Sequence, residues 1–207
     1  MQRFRGHIAG VGTTGGVRVV VGRWHTTPLG AFADVMVETA TGHRVLLAPT
    51  AEVADFVAAT YVFDEVRIEP VTVHDHADGW QVDSPSLHLR FALGRRTPLG
   101  AVLRLVPGPL ATAPAWSHVT DPVARLLLRG VRTRGSAGNG RLECYSATDV
   151  RAVSAVAGAF DGQPLGDLAP VDPPCRFGFG STPRRPSVTT VVTTVIDHRV
   201  EASDPGE

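Results

Sequence analysis

Lysine is absent from this chain, so every one of its 20 Lys+Arg positions is arginine. That excludes a Schiff-base lysine, the lysine of a phosphate-cradling P-loop and the strand lysine of a kinase. Net charge is also missing: 20 acidic residues balance the 20 basic ones, and the pI is about 7.1. A general nucleic-acid binder gains most of its affinity by neutralising phosphates, so no nucleic-acid partner is expected. Cysteine is scarce, with only Cys144 and Cys175. Structural zinc wants four ligands at short spacing, and this distant pair does not supply them. No apolar run approaches the ~18–20 residues that span a bilayer, so no membrane partner is expected. Met1-Gln2-Arg3-Phe4-Arg5-Gly6-His7 lacks the apolar core of a signal peptide, which makes the cytoplasm the expected location and two reduced thiols the expected redox state.

What remains is an apolar chain of 207 residues, 43% hydrophobic and 19% charged, long enough to bury a core without disulfides. Strand signals dominate. Arg3–Ala9 alternates, Val17–Trp24 is β-branched, and Phe32–Glu38 and His43–Ala48 flank a Thr41-Gly42 turn. Val45-Leu46-Leu47-Ala48 is apolar on both faces and is placed centrally. From Thr50 to Tyr61 the period changes, with Val53, Phe56, Val57 and Tyr61 on one helical stripe and Thr50 as N-cap. Strands resume at Phe63–Asp75, Gly79–Asp83 and Ser86–Leu93. The last sets Leu87, Leu89, Phe91 and Leu93 against polar His88 and Arg90. Thr97-Pro98 opens a short helix, Asp121-Pro122 a second one, and residues 134–140 read as a mobile Gly/Ser loop. Leu142–Phe160 and Val188–Ile196 read as strands. Thr27-Pro28-Leu29-Gly30-Ala31 recurs as Thr97-Pro98-Leu99-Gly100-Ala101, with a strand after the first copy and a helical pattern after the second. Short turns between strands argue for antiparallel pairing. The expected fold is strand-rich α+β: one domain over 1–198, built on an antiparallel bent sheet or partly closed β-barrel with two or three helices, and a disordered tail over 199–207.

Motifs for cofactors fail on physical grounds. Gly10-Val11-Gly12-Thr13-Thr14-Gly15 matches G-x-G-x-x-G, with Asp34 about where a ribose-binding acid would stand. That motif needs a helix N-terminus after it to hold pyrophosphate. Here Val17-Arg18-Val19-Val20-Val21 follows, so the glycines read as a hairpin turn. His74-Asp75-His76 with Asp78 offers imidazole and carboxylate on a strand, but the segment enters a turn at Asp78-Gly79. No metal and no cofactor is expected. Gly22-Arg23-Trp24 resembles the G-x-W signature of lipocalin barrels. In that family the pair opens the first strand, whereas here it closes a strand that follows another, and no family is assigned on it.

Two functional readings follow. The leading one is a small-molecule-binding β-barrel-like protein whose ligand is partly apolar and anionic. It rests on alternating strands, on Trp24 and Trp80 at strand ends, and on arginines around a Gly-rich segment. Arg125, Arg129, Arg132, Arg134 and Arg141 cluster there, and guanidinium binds carboxylate or phosphate in a bidentate fork. Trp24, Arg132, Arg141 and Tyr145 are the expected ligand contacts. The alternative is a cofactor-independent enzyme using His25 or His43 with Asp34, Glu38 or Glu143 as acid and base. Asp34 and Glu38 stand four residues apart on one strand face, roughly 13 Å, too far for a retaining glycosidase pair.

Overall fold

The computed structural model describes residues 1–107, 134–137, 141–178 and 182–197. Within them a β1–β2 hairpin sets the pattern. Strand β1 (Gln2–Thr13) turns through Thr13–Val17 into β2 (Arg18–Thr26). Gly16 sits at φ +80° and its N–H donates to the Thr13 carbonyl at 3.0 Å. A residue with a Cβ rarely takes that conformation, so the glycine run makes a turn and a strand follows it.

Strand β3 (Phe32–Glu38) pairs antiparallel with β2, and β4 (Arg44–Ala48) with β3. Helix α1 (Ala51–Ala58) begins where expected: the Thr50 hydroxyl accepts from the Val53 N–H. Thr50→Ala should cost about 1 kcal/mol of stability in a urea melt. An unchanged midpoint would mean the cap is not needed. The chain then enters β5 (Glu65–Ile68), which pairs parallel to β4. This βαβ crossover departs from the all-antiparallel expectation, because α1 carries the chain back over the sheet so that β5 runs in the same sense as β4. Pro70 also splits the expected Phe63–Asp75 strand, so that β6 (Thr72–His76) is separate.

Strands β7 (Gly79–Ser84) and β8 (Leu87–Arg96) follow, then helix α2 (Pro98–Leu103), capped by Thr97. The second TPLGA copy is therefore a helix start, while the first is a turn closed by the Gly30 N–H to the Thr27 carbonyl. Residues 134–137, read from sequence as loop, form β9 (Arg134–Ala137) and pair with β10 (Arg141–Phe160) from Ala137↔Arg141 to Arg134↔Cys144. A ready partner strand overrides the weak β propensity of Gly and Ser. The helix expected from Asp121-Pro122 lies outside the described residues. Short β11 (Gln163–Pro164) and β12 (Leu168–Ala169) lead to β13 (Ser187–Asp197).

The thirteen strands form one sheet, with main order β5-β4-β3-β2-β1-β13-β10-β8-β7-β6, curled into an open half-barrel. Its inner face is apolar. Ala9, Val11, Val19, Val21, Val35, Val37, Val45 and Leu47 from one half pack with Trp80, Val82, Leu87, Leu89 and Phe91 from the other. The outer face of β1–β4 is covered by α1, through Val53, Ala54 and Val57 on Leu46 and Ala48, and by Val171, Cys175 and Phe177 on Val20. This double covering explains why β4 is apolar on both faces. Side chains join the β5 end of the sheet to the β7–β8 turn and to the end of β10. Arg67 makes paired bonds of 2.5 and 3.1 Å to Asp161 and reaches Ser86, while Glu69 accepts from Ser84 and Ser86. No helix among the described residues is long and apolar enough to cross a membrane.

Candidate functional site

One end of the half-barrel gathers the polar groups of its inner face. Strand alternation puts Arg3, Arg5 and His7 on the face that further along buries Ala9 and Val11. Arg23 follows Val19 and Val21 on the same side of β2. His25 has the parity of Val19, Val21 and Arg23 and in a regular ladder would stand opposite Arg5 on this same face; the register shifts here, with Gly6 paired to Trp24 and Arg5 to Thr26, leaving His25 as the extra residue of a β-bulge. Bulges re-aim side chains, and His25 Nε2 lies 3.2 Å from His7 Nδ1. The opposite half closes over them. Arg23 forks onto Asp75 of β6 at 2.6 and 2.7 Å and lies 5.2 Å above the Trp80 ring. The His7 ring meets Trp80 edge-on at 5.6 Å. Trp80 thus ends the apolar interior and begins the polar mouth.

The electrostatics are uneven. Burial, then the neighbouring His25 and Arg23, push the His7 imidazole below its usual range, and Asp75 opposes this weakly. His7 is therefore neutral at pH 7. The Arg23 fork holds the Asp75 carboxyl below its usual range. Arg3 and Arg5 have exposed side chains with no hydrogen bond or ion pair among the described residues.

The remaining sequence-based candidates lie elsewhere. His43 stands at the opposite end of the half-barrel and meets Glu65 at 3.1 Å. Asp34 and Glu38 share the outer face of β3, so neither meets His25. Asp34 is 3% exposed; it accepts from Trp24 Nε1 at 2.9 Å, and burial pushes its carboxyl up to about 7, against the Trp24 hydrogen bond. Glu38, fully buried, is bound by Arg18 at 3.0 Å and by the Arg176 backbone and Nε at 2.9 and 3.1 Å. Trp24 and Tyr145 also belong to the outer face, where Tyr145 joins hydroxyls with Tyr61, tying the chain after α1 to β10. Glu143 and Arg141 are backbone members of β10, opposite Val195 and Asp197. Arg132 lies outside the described residues. His74 and His76 point away from Asp75, as alternation requires, and among the described residues no three His, Cys, Asp or Glu side chains are grouped to hold a metal ion.

No protein-family model matches the chain, and no curated protein matches it. Among solved structures, the acetoacetate decarboxylase of Legionella pneumophila subsp. pneumophila str. Philadelphia 1 is similar over 95% of this chain and 82% of its own, at 8% identity and a TM-score of 0.40. A likeness that distant says nothing about chemistry.

The inner mouth therefore stands on its own geometry. Sequence reasoning found His25 but missed His7, Arg23 and Asp75 as its partners. Alternation of Arg3, Arg5 and His7 on one strand was the available signal. The bulge and the approach of β6 and β7 had none.

Proposed function

We propose that the protein binds a small, partly apolar anion at the inner mouth of the half-barrel. The observation that supports this is the row Arg3, Arg5 and His7, two guanidiniums without a partner among the described residues and a neutral imidazole, beside Trp80 at the end of an apolar interior. Barrel mouths with apolar walls and a few convergent polar groups are common ligand sites. Arg23 is already matched by Asp75, so among the described residues of this mouth the uncompensated charge belongs to Arg3 and Arg5. An anion there gains charge-assisted hydrogen bonds. Its apolar part gains from leaving water against the mouth's aromatic edge.

Calorimetric titration with benzoate, hexanoate and inorganic phosphate tests this. Benzoate or hexanoate should bind saturably, and Arg5→Gln should weaken binding about tenfold. Tight, steeply salt-dependent binding to DNA or RNA, with none to the small anions, would overturn the proposal.

A catalytic reading has one observation in its favour. His7 is neutral at pH 7 with Nδ1 against His25, the relation of a general base to the group that orients it. A pH–rate profile whose basic-form limb disappears in His7→Gln would mark turnover at this mouth. Neither Asp34 nor Glu38 serves that reading, since both are buried on the outer face.

A further inference from the structure

We infer that the anion binds together with one proton, taken up by the His7–His25 pair, so that the mouth loads organic anions in mildly acid conditions and releases them near neutrality. The inference rests on the anion-binding reading above.

The pair's geometry sets the stoichiometry. In the bond between His7 Nδ1 and His25 Nε2 one nitrogen carries the hydrogen and the other presents a lone pair. When both rings are neutral, each holds one N–H, and one of these hydrogens is shared. A third proton can enter on an outward-facing nitrogen without breaking that bond. A fourth would place N–H against N–H and two positive charges 3.2 Å apart at the contact. The pair therefore accepts one proton readily and resists a second.

The surroundings decide when that proton arrives. On its own strand His7 faces Arg5. From β2 come His25 and Arg23, from β6 Asp75, and from β7 the Trp80 ring. Its partner on β13 is Thr190, beyond which Asp149 of β10 is engaged by Arg96 at 2.9 Å. Arg96 and Asp149 are paired, and Arg23, though forked onto Asp75, still opposes the His7 proton more than Asp75 favours it. Arg3 and Arg5, without a partner among the described residues, add positive charge on the same strand face. An anion seated on them offsets positive charge beside the pair and adds an attraction for the proton. By linkage, whatever raises proton affinity when the anion is bound raises anion affinity when the proton is bound. The burial that holds His7 neutral in the empty site supports the same direction.

Benzoate is the probe, because its carboxylate stays ionised through the range and its ring suits an aromatic edge. Titrations at pH 5.5 to 8, repeated in buffers of different ionisation enthalpy, give affinity and proton count together. The expected result is about tenfold tighter binding at pH 5.5 than at pH 8, as an upward pKa change of about one unit requires, with uptake peaking at about half a proton per benzoate midway between the free and bound pKa values. His7→Gln and, separately, His25→Gln should lose the proton uptake and the pH dependence, and the far-UV spectrum checks that each folds. Benzoate binding that is flat with pH and takes up no proton would overturn the inference and leave the anion site standing. Proton uptake unchanged in both variants would place the titrating group elsewhere and also overturn it. No binding of benzoate at any pH, together with none of hexanoate or phosphate, would remove both.

Discussion

Asp34→Asn should stabilise the protein at pH 8 by about 2–4 kcal/mol and change little at pH 4. Asp34 lies fully inside the outer layer, and burial pushes its carboxyl from 3.8 up to about 7. The folded state therefore holds the proton more tightly than the unfolded chain does. The stability this adds is complete below the unfolded value, near 4. It is lost as pH rises toward 7, and above 7 the loss is constant because both states are ionised. A difference of that size is on the order of 4 kcal/mol, reduced by whatever relaxation the site allows. Asn imitates the neutral acid: its Oδ1 can still accept from Trp24 Nε1, and it carries no charge to desolvate. Gly22 fixes the site, since a Cβ there would collide with Asp34 Oδ1 and the Trp24 indole nitrogen. Gly22→Ala should consequently break the Trp24–Asp34 bond. Urea unfolding at pH 4, 6 and 8 reads the effect of Asn directly. An equal change in stability at all three values would show that Asp34 does not titrate between folded and unfolded states.

The same residue marks where the sequence stops being readable. That Asp34, Met36 and Glu38 share a strand face follows from period two, and the structure keeps them together. Which face they occupy depends on how the sheet curls, and nothing local to β3 encodes that. The alternation of Leu87, Leu89 and Phe91 likewise shows a half-buried strand without naming its partners. Thr50 announces a helix start through its own hydroxyl, and Gly16 a turn through its backbone, so both were legible. Features that depend on distant pairing were not. The placement of β13 between β1 and β10, the parallel approach of β5 to β4 and the recruitment of 134–137 into the sheet all join segments far apart in sequence. The mouth is of this kind. His7, His25, Asp75 and Trp80 come from four strands, and one of them stands in a bulge whose register shift exists only in the paired sheet. Asp34 and Glu38 looked like acid–base candidates because carboxylates on a strand face can line a pocket. Burial with dedicated partners turns them into parts of the outer layer.

For Glu38 that layer predicts a large effect of the opposite sign. Glu38→Ala should destabilise the fold by about 3–5 kcal/mol, the usual cost of breaking a buried ion pair from one side. The Arg18 side chain is 7% exposed and the Glu38 side chain fully buried, so their 3.0 Å bond has little solvent to replace it. Arg18 is already under-satisfied, because its Nε is buried with no hydrogen-bond partner, and removing the carboxylate would leave its guanidinium with the long 3.4 Å bond from Nη2 to the Thr39 carbonyl and no counter-charge in contact. The Arg176 backbone N–H would lose its acceptor as well, loosening the segment that packs Cys175 and Phe177 on Val20. Arg176→Ala should cost much less, since its side chain is 69% exposed and exposed ion pairs contribute little. Removing both buried charges separates the cost of an orphaned cation from the worth of the pair. Arg18→Met combined with Glu38→Leu should be less destabilising than Glu38→Ala alone, because apolar groups of similar size can replace a buried pair at little net cost. Denaturant midpoints of the four proteins decide the matter. A double variant at least as unstable as Glu38→Ala would mean that the carboxylate's bonds to Arg176, and not the charge left on Arg18, hold this edge of the sheet.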